Sequence, residues 1–166
     1  MVDSWLIGTT LVSFAMAFAI GANDASNGLG TSYGSQALSL KWLLAIGAIM
    51  EFIGSAFCSE QVNVTLSQDV ITEISHCTDE VKRKMMFVVT AVSFFLVMLS
   101  SVGAMPISGT HATIGAFLGA GWIGTSFYDL GWSKLRNIVI SWITAPLLSG
   151  IISYIIFIAV MRLTIE

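Results

Sequence analysis

Between Gly21 and Ser35 the chain reads Gly21-Ala22-Asn23-Asp24-Ala25-Ser26-Asn27-Gly28-Leu29-Gly30-Thr31-Ser32-Tyr33-Gly34-Ser35, placing one carboxylate and two amides among four glycines directly after an apolar run. A carboxylate at membrane depth costs at least about 2.5 to 3.5 kcal/mol on insertion scales, so Asp24 should face protein, water or an ion. Glycine permits unwinding, and a broken helix here frees backbone carbonyls. Together with the oxygens of Asn23, Asp24 and Asn27 these form a hard-oxygen nest suited to a small cation. The plain alternative is that Asp24 caps a short following helix and Asn27 is solvated at the membrane edge.

A second constellation, Pro106-Ile107-Ser108-Gly109-Thr110-His111-Ala112-Thr113, opens an apolar segment that continues through Gly115, Gly119 and Gly121. It has the form of a helix start, where Pro costs nothing because the first N–H groups lack helical partners. Those N–H groups, the helix dipole and the Ser108 and Thr110 hydroxyls can hold an anion such as phosphate, and Gly109 allows it close to the backbone. The alternative is ordinary Ser and Thr capping. His111 is more often a packing residue than a ligand and counts only as support. Glu51 is a third outlier, alone in the middle of the apolar run Trp42–Phe57, and an isolated intramembrane carboxylate implies a functional or pairing role. Ser108 and His111 lack a second base to complete a nucleophile, base and orienter chain, so no enzyme is expected.

The elements that must position these residues are apolar throughout. Of 166 residues 55% are hydrophobic and only 10% charged, with a mean hydropathy of +0.85; soluble domains carry about 25% charged residues, so the solvent here is lipid. Hydropathy separates Trp5–Ile20, Leu40–Phe57, Met85–Ala104, Ile107–Phe127 and Ile138–Met161. The runs are long and unbroken, not alternating in units of about ten residues, which excludes a membrane barrel and predicts an all-α polytopic protein of about five membrane segments. No room is left for a soluble domain, so residues 1–166 read as a single membrane domain. The first run follows Asp3 and no basic leader, so it is kept as a mature helix. Pro146 inside the fifth segment is tolerated because neighbouring groups can satisfy the carbonyl it frees. Ser59–Lys84 is a charged, partly helical loop bracketed by Cys58 and Cys77, which are read as two thiols. A net charge of -3 without a basic block gives no reason to expect nucleic acid.

Taken together these segments resemble a known family. GANDASNGLGTSYGSQALS is similar to the GAND signature of the inorganic phosphate transporter (PiT) family, and PISGTHATIGAFLG resembles its second signature. Ser141-Trp142-Ile143-Thr144-Ala145-Pro146-Leu147-Leu148-Ser149-Gly150 is similar to the family's SW-x-x-SPLLSG segment, with Thr144-Ala145 as a departure, and Glu51-Phe52-Ile53-Gly54 to its FE-x-x-GA helix. The order agrees along nearly the whole chain. Gly109 looks like the first, N-terminal repeat of eukaryotic-type members. The resemblance implies cation-coupled phosphate transport, with Asn23, Asp24 and Asn27 at the cation and phosphate site, and Ser108 and Thr110 on phosphate. The coupling ion is Na⁺ or H⁺, no organic cofactor is expected, and no metal is expected beyond a Na⁺ site.

PiT members carry two repeats of inverted topology, whereas this sequence holds one. The expectation is therefore half of an assembled transporter, completed by a second repeat in another copy or chain, or covered by other membrane subunits. The competing expectation is a transporter-derived structural subunit that has lost transport. Five crossings suit an inverted repeat. Lys82, Arg83, Lys84, Lys134 and Arg136 then share a side with the amino terminus, which the positive-inside rule places in the cytoplasm. The resemblance and the Asn63-Val64-Thr65 sequon place it outside. A re-entrant hairpin at Pro106–Thr113 would nearly even out the charges.

Overall fold

The computed structural model describes residues 4–59, 77–125 and 130–165. These residues form five helices: α1 (Ser4–Gly34), α2 (Leu40–Cys58), α3 (Asp79–Val102), α4 (Gly109–Gly124) and α5 (Trp132–Ile165). The all-α class expected from the unbroken apolar runs is what folds. Four of the helices, α1, α2, α3 and α5, are long and apolar enough to cross a membrane. The fifth, α4, has 16 residues, about 24 Å at 1.5 Å per residue, short of a hydrocarbon core of about 30 Å. Most of the charged loop between α2 and α3, with the Asn63 sequon, lies outside the described residues. Cys58 and Cys77 carry thiols, not a disulfide.

The first helix departs from expectation. It runs unbroken for 31 residues through the whole glycine-containing stretch, so the break expected at Gly21–Asp24 is absent. The reason is an energy comparison. Each interior glycine costs roughly 0.5 to 1 kcal/mol relative to Ala, but a backbone group left unsatisfied in hydrocarbon costs several kcal/mol. No Pro and no β-branched run forces the issue between Gly21 and Gly34. The helix stops instead just beyond Gly34, where Ser35 N–H donates to Thr31 O and Gln36, at φ 57°, turns the chain toward α2.

Residues 1–130 form one compact unit, with α3 at its centre. Met85, Val89, Ser93, Val97 and Ser100 make the buried stripe of α3, which packs against α1 and α4. Thr78 caps this helix by accepting from Val81 N–H at 3.4 Å, and Asp79 and Glu80 in the first turn complement its dipole. Near this end Gly8 leaves room for the Phe87 ring, and Trp5 meets that ring edge-on with centroids 5.6 Å apart. At the other end Asn23 meets Ser101. Contacts that climb together in both sequences mean that α1 and α3 run parallel, which leaves α2 to make the return between them. The chain then reverses through Gly103 and Ala104 (φ 53°), where Met105 N–H donates to Ser100 O at 2.9 Å. The next helix, α4, descends antiparallel along α3 until Gly124 rests on Met85.

That return places Pro106 before the helix, with Ser108 as the residue that caps it. The described residues form a helix start at this segment. Gly121 shares the buried face of Ile114 and Phe117, whereas Gly115 and Gly119 are exposed. Residues 131–166 form a second unit consisting of the 34-residue α5, with Pro146 inside it. Helix persists through Pro146, as the sequence implied, and Ser149 Oγ donates to Pro146 O at 3.1 Å.

Outward-facing side chains are large and apolar: Phe57 is 82% and Ile123 90% exposed. Such faces suit lipid, not water. The contact of Gly124 with Met85 generates a stability prediction. A Cβ there would lie 2.9 Å from the Met85 sulfur and 3.3 Å from its Cγ, and Met85 is itself buried. Gly124→Val is expected to destabilise the detergent-solubilised protein by about 1 to 3 kcal/mol through overpacking. In a double-mutant cycle Met85→Ala should recover part of that loss. Strictly additive melting shifts would show that the two residues are not in contact.

Candidate functional site

The polar residues of α1 divide between two of its faces, because successive residues are turned by about 100°. Asn23 points into α3, 4% exposed, with its Nδ2 donating to Ser101 Oγ at 3.0 Å. Gly21, Asp24, Ala25, Gly28 and Leu29 recur at helical spacing on another face, toward α2, and Gly47 of α2 is the residue against which Leu29 rests. Between these helices opens a groove of about 540 Å³ lined also by Leu44, Ala48, Glu51, Phe52 and Ser55. Asp24 and Glu51 therefore face the same space. Their pairing was not legible from two separate motifs 27 positions apart. Asn27 is exposed and does not line this groove.

The start of α4 lies beside the same stretch of α1. A Cβ on Gly109 would meet Ile20 Cγ1 at 3.5 Å, an ordinary contact distance, so the helix start lies against Ile20, one turn before Asp24 on the same side of α1. Ser108 Oγ accepts from His111 N–H at 3.3 Å, and Ala112 N–H closes the first backbone bond to Ser108 O at 3.1 Å. Thr113 Oγ1 donates to Gly109 O at 2.9 Å. Thr110 and His111 are exposed. Ser108 thus caps its helix, as the plain alternative held. A cap and an anion ligand are not exclusive, since a hydroxyl oxygen that accepts from the backbone still has its own proton to donate.

Three features of the expected site are therefore close in the fold: the amide and carboxylate of α1, the capped start of α4, and the Asp24–Glu51 groove. The unwound backbone is not among them, so any ion held by α1 has side-chain oxygens to meet, not freed carbonyls. Ser101 was missed by the sequence reading. Its signal was present, since Ser100 and Ser101 interrupt the apolar run Met85–Ala104 with a polar pair one turn before its end. Among the described residues no three His, Cys, Asp or Glu side chains converge as a metal centre.

Long apolar helices mark a polytopic membrane protein, and two carboxylates on an open groove with a helix start nearby mark its candidate site. The chain belongs to the phosphate transporter family, whose model matches residues 20–166. It is 36% identical over 166 residues to a Haemophilus influenzae protein described as a phosphate permease, covering 98% of this chain and 39% of that one. A Thermococcus kodakarensis protein of the same description is 32% identical over 168 residues, covering all of this chain and 41% of the relative. A Plasmodium falciparum sodium-dependent phosphate transporter is 35% identical over 164 residues, covering 97% of this chain and 24% of the relative. Among solved structures, a sodium-dependent phosphate transporter superimposes with a TM-score of 0.88 at 26% identity, covering 93% of this chain and 38% of that one. The chain spans about two fifths of the length of the first of these relatives.

The groove carries its own prediction. Two carboxylates facing a space at membrane depth are unfavourable for folding in lipid, whatever they do for function. Asp24→Asn combined with Glu51→Gln is expected to raise the melting temperature of the protein in lipid nanodiscs at neutral pH, the pattern of a site that trades stability for activity. A lowered melting temperature would show that the two carboxylates are structural anchors.

Proposed function

We propose that this chain supplies one half of a cation-coupled inorganic phosphate transporter, acting as a single repeat over residues 1–166 that packs against a second repeat. The observation that supports this is the contact of the α4 start with Ile20, one turn before Asp24 on α1. A phosphate needs donors, which Ser108, Thr110 and the first N–H groups of α4 offer with the aid of the helix dipole. A small cation needs oxygens, which Asn23, Asp24 and Asn27 offer, with Glu51 in support across the groove. His111 serves the helix start through its backbone, which donates to Ser108.

Sodium is favoured over the proton as coupling ion, because two of the similar proteins are described as sodium-dependent. The exposed groove face of α1 and α2 supports a second repeat as partner: Asp24 and Glu51 cannot face hydrocarbon, and inverted-repeat transporters close their sites between two such halves. A purely structural subunit would have no use for either carboxylate.

Two measurements test this function on the assembled transporter. Asp24→Asn keeps the shape and removes the charge, so it is expected to abolish Na⁺-dependent uptake of labelled phosphate while leaving membrane insertion intact. Unchanged rate and sodium dependence would remove Asp24 from the mechanism. For Ser108 the comparison is between Ala and Asp. If the residue only caps, Asp restores what Ala loses, since Asp is as good a cap as Ser. If it also donates to phosphate, Ser108→Ala should weaken phosphate binding by about 1.5 to 3 kcal/mol and Ser108→Asp at least as much, because a carboxylate repels the anion. Wild-type phosphate affinity in the Asp variant would leave capping as the whole role.

A further inference from the structure

Asn23 reaches α3 through Ser101, and the direction of that hydrogen bond can be worked out from the donors available. The Ser101 hydroxyl donates to Val97 O at 2.9 Å, the usual back-bond of a serine in an apolar helix. A hydroxyl has one hydrogen. With that hydrogen committed to Val97, Ser101 Oγ meets Asn23 only as an acceptor, so the amide must turn its NH₂ toward Ser101, and Nδ2 is the atom found there at 3.0 Å. The Asn23 carbonyl oxygen is thereby turned away. It is buried and has no hydrogen-bond partner among the described residues. Reversing the amide would leave two of its hydrogens unmet where the present arrangement leaves one hydrogen and the oxygen, and would in addition draw the Ser101 proton off Val97, which makes it the costlier arrangement.

An orphaned amide oxygen has a definite chemical preference. It accepts and cannot donate, so it suits a cation or a donor, and it opposes phosphate, whose oxygens at neutral pH are mostly acceptors themselves. We propose that Ser101 is a positioning residue that holds the Asn23 amide with Oδ1 presented to the coupling cation, making Asn23 a ligand of the cation and not of the phosphate. This rests on the cation-coupled function proposed above and adds a division of labour to it. Donors on α4 serve the anion, and the acceptor on α1, set by α3, serves the cation. Ser101 itself touches neither ion.

The test uses the full assembled transporter in proteoliposomes and in detergent. Ser101→Ala removes the acceptor that fixes the amide, and is expected to raise the Na⁺ concentration for half-maximal phosphate uptake about two- to tenfold, the equivalent of one hydrogen bond. The KM for phosphate at saturating Na⁺ should stay within about twofold by the same reasoning, because the anion does not meet Asn23. Ser101→Thr keeps the hydroxyl, which can back-bond as Thr90 does to Met86 O at 2.8 Å, and should return the sodium dependence to wild type. A second readout needs no transport: NaCl, compared with choline chloride and without phosphate, should raise the melting temperature of wild type and S101T more than that of S101A. A lower melting temperature in S101A with a wild-type sodium shift would mean a structural contact only and overturn the inference. A phosphate KM that rises together with the sodium requirement would also overturn it. Phosphate uptake by wild type that is indifferent to Na⁺ and pH would instead overturn the proposed function, and the sodium melting shift would still decide the role of Ser101.

Discussion

Every backbone N–H and C=O inside a bilayer must find a partner within the protein, and the rest of this fold follows from that constraint. It keeps α1 helical through a run of glycines that in water would invite a turn. It also decides what kind of chemistry the run can perform. With the carbonyls committed to the helix, the oxygens left for an ion are those of side chains, and side chains on a helix point where the 100° step sends them. Asn23 and Asp24 are adjacent in sequence and yet serve different neighbours, one buried on α3 and the other open to the α2 groove. A single unbroken helix therefore turns its two adjacent polar side chains toward different neighbours.

The position of α4 depends on the same economy of backbone groups. A helix start has four N–H groups without helical partners. In lipid they need a cap, a neighbour or a ligand. Ser108 satisfies one through its side chain, and the terminus lies against Ile20 at Gly109. At 16 residues α4 is too short to cross a bilayer core of about 30 Å at full thickness, so one of its ends must lie some way in from a surface. That depth matters. A dipole end in a medium of low dielectric attracts an anion far more strongly than the same end at a wet surface.

The class, the helices and the family were legible because their signals are local. Long apolar runs, Pro106 ahead of a Ser-Gly-Thr start and the order of four motifs can all be read along the chain. The continuity of α1 was not, because propensity favours a break at glycine and only the surrounding lipid overrides it. The Asp24–Glu51 groove was also out of reach, since it depends on how α2 returns along α1, with Gly47 admitting Leu29. Ser101 shows the same limit at the scale of one hydrogen bond. Its type and its place in an apolar run were visible, but its partner lies 78 positions away, and only the parallel packing of α1 on α3 brings them together.

On the proposed function, the charges around this site also explain why phosphate should need a companion ion. Phosphate carries between one and two negative charges at neutral pH, and the α1–α2 groove already holds two carboxylates. At 4 Å, like charges repel by about 4 kcal/mol at an effective dielectric of 20, more than the helix dipole returns. The anion alone would be turned away. A cation held by the acceptor oxygens of α1 removes that repulsion and adds an attraction of similar size, so each ion raises the affinity for the other by the same factor. Coupling then needs no moving part within this repeat. It follows from placing carboxylates beside a helix start, and the conformational change that turns coupled binding into transport belongs to the motion of one repeat against its partner.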